Sequence, residues 1–161
     1  MIELRKLGPD TLRHAMVVVT DSFEREVAAG EREEDFDEAW GEAFQAFSVV
    51  AGGGDFAGFV GYDGSYPVAI SLLRGSEAYG EGVGVFDWFY VSPDVKASTF
   101  PLRLATETIK AAKGIKEVVA FVGWGKNKTM KALEIVGMEP YEVEFRGRIK
   151  DMPRSIKNRL E

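Results

Sequence analysis

Apolar positions recur along the chain with two alternating periods. Ile2 to Leu7 alternates and predicts a short strand, broken by Gly8-Pro9-Asp10, where Asp10 or Thr11 can cap a helix. Leu12, Met16, Val19, Phe23 and Val27 then form one stripe at helical spacing. An acidic turn from Glu31 to Asp37 leads into a second helix carrying Phe36, Trp40, Phe44, Phe47 and Ala51, stopped by Gly52-Gly53-Gly54. Three strands follow, at about Phe56 to Tyr62, Pro67 to Arg74 and Gly82 to Val91, with Gly64 and Ser65 as a hairpin turn between the first two. Phe100 to Lys113 reads as a helix with Leu102, Ala105, Ile109 and Ala112 on one face and Gly114 as its stop. The nearly continuous apolar run Glu117 to Val122 predicts a strand covered on both faces. A helix from about Lys128 to Val136 closes at Gly137. Tyr141, Val143, Phe145 and Ile149 alternate with polar residues in a half-buried strand. The order β-α-α-β-β-β-α-β-α-β predicts a mixed α/β sheet with helices on both faces: three adjacent strands favour antiparallel pairing, and the later strand-helix-strand unit favours a parallel crossover.

Composition narrows the chemistry more than the fold. The 161 residues suit one domain, read as 1–149 with a basic tail, 150–161, expected to be a loose arm. There is no cysteine, which excludes disulfides and thiolate chemistry, and His14 is the single histidine, so a histidine-rich metal site is excluded. No metal is expected. His14 lies off the first helix's apolar stripe and reads as solvated. No signal-peptide core opens the chain and no apolar run approaches ~18 residues, so a cytoplasmic protein without membrane contact is expected. Net charge is −6, unevenly divided: residues 1–95 hold 6 Lys and Arg against 18 Asp and Glu, whereas residues 96–161 hold 14 against 8. The basic half has no dense cluster and no interleaved aromatics, which argues against nucleic-acid binding.

The stretch Phe89-Tyr90-Val91-Ser92-Pro93-Asp94-Val95-Lys96, together with the element order, resembles the GNAT family of acyl-CoA-dependent N-acyltransferases over roughly residues 2–149. In that family a strand ending in a similar pattern leads to a basic residue, a glycine-rich loop and a helix. The resemblance implies a GNAT-like fold, acetyl-CoA as acyl donor, and a small amine or protein amino group as acceptor. A homodimer or larger assembly is compatible with it. Helix-start N–H groups carry partial positive charge and suit a pyrophosphate, which would place the phosphates at Lys96, Ala97, Ser98, Thr99 and Phe100. Pantetheine would pair with backbone at Tyr90 and Val91, and Asn127 would bond one of its amides. Thr99 and Pro101 stand where the family has glycine or alanine, and Leu133 stands where it often has a tyrosine general acid. These departures sustain an alternative: a GNAT-like protein without catalysis, serving as an interaction or structural component, as known among bacteriophage proteins.

Asp87 is the candidate catalytic residue. Period-two counting places Val83, Val85, Phe89 and Val91 on its side of the strand, where an apolar setting would raise its pKa and make it a better proton acceptor. The resemblance adds that many members carry a glutamate at this position. Phe86, Trp88 and Tyr90 would form the opposite face, as sheet core or as the floor of a substrate pocket. The acidic run Glu31 to Glu42 reads as a solvated face or as the receiver of a basic peptide or polyamine.

Overall fold

The computed structural model describes residues 2–54, 56–121, 133–135, 137–141 and 144–161. Strand β1 (Ile2–Lys6) is followed by helices α1 (Leu12–Ala28) and α2 (Asp37–Ala51). Strands β2 (Ala57–Asp63), β3 (Tyr66–Gly75) and β4 (Val83–Val91) then form an antiparallel meander with β1. Helix α3 (Phe100–Ala111) carries the chain across to β5 (Glu117–Phe121), parallel to β4. Strands β6 (Glu139–Tyr141) and β7 (Glu144–Arg148) pair with each other, and β7 lies antiparallel to β5. One sheet results, ordered β1-β2-β3-β4-β5-β7-β6.

Each face of the sheet buries a separate core. On β3 the side chains alternate: Ile70 and Leu72 join α1 and α2 through Val19, Phe23, Phe47 and Val50, while Ala69 and Leu73 lie against α3 through Leu104, Ala105 and Ile109. Ser71, on the α3 face, is buried but shares a 2.6 Å hydrogen bond with Thr108, which satisfies both hydroxyls. Among the described residues no helix is long and apolar enough to cross a membrane.

Four expectations are corrected. The stripe of α2 is rotated from its aromatic positions: Ala43, Ala46, Phe47 and Val50 are buried, while Phe44 is exposed and stacks on Trp40 (5.5 Å) at the rim. Thr11 is the N-cap residue of α1, but its side chain makes no cap bond to the helix; its hydroxyl accepts the Gly8 N–H (2.9 Å) and donates to the Lys6 carbonyl (3.1 Å), closing the turn. The single strand expected from Tyr141 to Ile149 is a hairpin, β6 and β7, because alternation runs through the junction with no turn-forming residue to mark it. The tail is not a loose arm. A 3₁₀ turn (Ile149–Asp151) leads into helix α4 (Arg154–Leu160), and Met152 and Ile156 are buried against α3. Met152, Ile156 and Leu160 recur at a step of four, a helical period that the surrounding charge hid, and all three pack against the α3 core.

Candidate functional site

Strand β4 is irregular at Asp87. Trp88 pairs with Leu72 and Phe86 with Leu73, so one residue on β4 has no opposite number on β3. This extra residue is a β-bulge, and it resets the side-chain alternation. Phe86 packs on the α3 face and meets Phe89 edge-on at 5.7 Å. Trp88 and Tyr90 pack on the α1/α2 face, and Asp87 opens into a cleft on that same side. The expectation that Asp87 shares its side with Phe89 and Val91 is therefore overturned: both of these lie toward α3. Nor is Asp87 desolvated. Its side chain is 37% exposed, and Oδ2 accepts a 3.0 Å charge-assisted hydrogen bond from Arg74 Nη1.

The bulge coincides with a parting of strands. Pairing between β4 and β5 ends at Phe86 opposite Ala120, so Asp87 to Val91 lack a strand on that side among the described residues. The Ser92 N–H donates to Val68 O at 2.8 Å. By strand alternation the Tyr90 backbone also faces β3, whereas the N–H and C=O groups of Phe89 and Val91 face the open edge. Val91 is thus placed for a backbone contact along that edge and Tyr90 is not. The Tyr90 hydroxyl instead donates to Asp21 Oδ2 on α1 (3.1 Å). Burial, reinforced by the Asp21 charge, holds that phenol well above its usual pKa. Arg25 joins Asp21 (3.1 Å) to Asp94 (2.9 Å), so α1 is tied both to β4 and to the loop that follows it.

That loop leads from the buried Ser92 into α3. Lys96, Ala97, Ser98 and Thr99 are exposed, and Phe100 is buried beneath them as the helix's first anchor. The N–H of Phe100 donates to Ala97 O (3.1 Å), and Pro101 has no N–H. The N–H groups of Ala97, Ser98 and Thr99 have no hydrogen-bond partner among the described residues. Three backbone donors, two hydroxyls and one lysine therefore face outward at the start of a twelve-residue helix, a donor set that fits an anionic group without glycine. Phe100 offers packing rather than a ligand contact. Asn127 lies outside the described residues, as does most of the helix expected before Gly137; residues 133–135 are helical, and Gly137 takes φ +101° with its N–H on Glu134 O. Leu133 is fully buried in the α3 core.

On the other side of β4 lies a cleft of about 380 Å³. Its apolar lining is Phe23, Ala39, Ala43, Ala46 and Trp88, and its charged lining is Glu26, Arg32, Glu42, Arg74 and Asp87. Trp88 is held by Phe23 (5.5 Å) and Phe47 (6.0 Å). Arg32 lies over the Phe23 ring (4.1 Å) and pairs with Glu26. Of the acidic run only Glu42 lines the cleft with its carboxylate; Glu31, Glu33, Glu34, Asp35, Asp37 and Glu38 are exposed elsewhere. Sequence reading missed Arg32 and Arg74 because single arginines in a loop and at a strand end carry no pattern. His14 was expected to be solvated, but its Nδ1 meets the buried Tyr62 hydroxyl at 2.7 Å.

No family model and no curated protein matches the sequence. Solved structures do match the fold. The PaiA N-acetyltransferase of Thermoplasma acidophilum, solved with coenzyme A, superposes with a TM-score of 0.70 at 17% identity, covering 92% of this chain and 99% of that one. A GNAT-family acetyltransferase of Bacillus cereus gives 0.67 at 9% identity, covering 92% and 97%. This chain has the GNAT acetyltransferase fold. Arabidopsis thaliana NAA60, solved with a bisubstrate analogue, gives 0.66 at 16% identity, covering 94% and 99%.

Proposed function

We propose that this GNAT-fold chain is an acetyl-CoA-dependent N-acetyltransferase acting on a primary amine. The observation that carries the reading is the edge of β4: backbone groups at Phe89 and Val91, without a strand partner on that side among the described residues, lie between an outward-facing donor loop and a cleft that holds Asp87. Val91 would take the pantetheine arm along that edge. Lys96, Ala97, Ser98 and Thr99 would take the phosphates. The acceptor nitrogen, once neutral, attacks the thioester carbonyl; the C–N bond forms, the C–S bond breaks, and the thiolate leaves and is protonated. The ammonium proton passes to Asp87, directly or through water, and outward-facing N–H groups of β4 stabilise the oxyanion. Two of the neighbours were solved with coenzyme A or a bisubstrate analogue, which supports the donor and leaves the acceptor to this chain's own cleft.

The opposing reading is a GNAT-fold interaction component without catalysis, favoured by Pro101 at the start of α3 and by Leu133 in the core. Acetyl-CoA titration separates the two. At 100 times its dissociation constant a ligand stabilises by about 2.7 kcal/mol, a rise of roughly 5–10 °C in Tm for a domain of this size. Calorimetry should show saturable heat, and Lys96→Glu should weaken it at least tenfold. No heat and no thermal shift at millimolar acetyl-CoA would establish the non-catalytic reading.

A further inference from the structure

The cleft presents both signs of charge: Arg32 and Arg74 against Glu26, Glu42 and Asp87. Glu26 is already paired with Arg32, and Asp87 with Arg74. Glu42 is the one lining carboxylate with no ion pair or hydrogen bond among the described residues. Each guanidinium carries five N–H donors. Arg74 gives one to Asp87 through Nη1, and its Nε is closed to water with no hydrogen-bond partner among the described residues. Arg32 gives one to Glu26 through Nε. Arg74 Nη2 has no hydrogen-bond partner among the described residues either, and unlike Nε it is not closed to water. Nη2 can donate to a guest carboxylate oxygen while Nη1 keeps Asp87.

Resting on the acyltransferase reading of this cleft, we propose that the acceptor is a zwitterion of the amino-acid class: an amine with a carboxylate on the adjacent carbon and an apolar or aromatic side chain. Arg74 takes the carboxylate, with Arg32 contributing charge from the α1–α2 loop. Glu42 attracts the ammonium from the rim. The side chain rests against Trp88 and Phe23, with Ala39, Ala43 and Ala46 leaving room on the α2 wall. A polyamine or basic peptide, one of the two readings of the acidic run, would use Glu42 but offer no acceptor to the remaining guanidinium N–H groups of Arg32 and Arg74. Glu31, Glu33, Glu34 and Asp35 do not line the cleft.

The test compares two compounds that differ only in the carboxylate, L-phenylalanine and phenethylamine. Each is titrated into the full chain by calorimetry and offered as acceptor with acetyl-CoA while coenzyme A release is followed. The expected result is tighter binding and at least tenfold higher kcat/KM for phenylalanine. Arg74→Gln should erase or invert that ratio, Arg74→Lys should keep part of it, and Arg32→Gln should reduce it. The ratio is measured within one protein sample, so partial loss of folded protein cancels. Equal or better use of phenethylamine, or acetylation of spermidine alone, overturns the proposal and leaves the acyltransferase reading intact. So does the failure of phenylalanine to bind while acetyl-CoA does. If acetyl-CoA itself fails to bind, the acyltransferase reading falls, and the binding comparison still decides whether the cleft takes zwitterions.

Discussion

Asp87 shows how one extra residue changes a site. In a regular strand it would face α3 beside Phe89 and Val91; the bulge turns it toward α2 beside Trp88. It is the carboxylate that β4 itself carries into the cleft, next to the strand's open edge. Its ion pair with Arg74 leaves it 37% exposed, so water can reach it and relay a proton. Asp87→Asn keeps the shape and removes the proposed proton acceptor. The expected outcome is a kcat lowered about 10²-fold or more, with KM for acetyl-CoA little changed. A kcat unaltered from pH 6 to 9 would remove Asp87 from the chemistry. The residue was legible in the sequence as a carboxylate in an apolar strand. Its face was not, because a bulge is defined only against a partner strand.

At the scale of elements, α4 matters more than its seven residues suggest. Ile156 and Met152 are each 3% exposed and fill the core under α3. The approach is tight: a Cβ added to Gly137 would lie 2.7 Å from Pro153 Cδ. Gly137 also holds φ +101°, which L side chains rarely adopt, so the residue ending one helix also seats the entry to the next. Ile156→Ala should cost about 2–5 kcal/mol in urea unfolding. Lys157→Ala, on a half-buried neighbour with no ion pair among the described residues, should stay within about 0.5 kcal/mol. Equal effects of the two would mean that α4 is not docked. Charge along 150–161 concealed this helix, although Met152, Ile156 and Leu160 recur at a step of four.

For the whole molecule, two tyrosines link the sheet to α1 and set its response to alkali. Tyr62 on β2 meets His14 and Tyr90 on β4 meets Asp21, and burial raises both phenols above the ordinary value of about 10. Above that value the unfolded chain loses these protons while the folded chain keeps them. Stability is therefore fully present below about pH 10 and falls as pH rises beyond it. Thermal unfolding across pH 8 to 11.5 should show that decline, and Tyr62→Phe with Tyr90→Phe should flatten it. An unchanged slope in the double variant would assign the decline to other groups.

The sequence by itself determined the element order as far as β5, the mixed sheet and the likeness to the GNAT fold, because hydrophobic period and turn residues are local properties that survive without partners. It also located the β4–α3 segment and its outward-facing lysine. Tertiary structure alone decided the site. The bulge exists only where β3 lies beside β4, the open edge only where β5 ends its pairing at Ala120, and the charge of the cleft only where Arg32 and Arg74 arrive from distant parts of the chain. The acidic front read from the sequence is real in number, yet most of its carboxylates face away from the cleft. What a ligand would meet there depends on side-chain direction and pairing, and folding sets both.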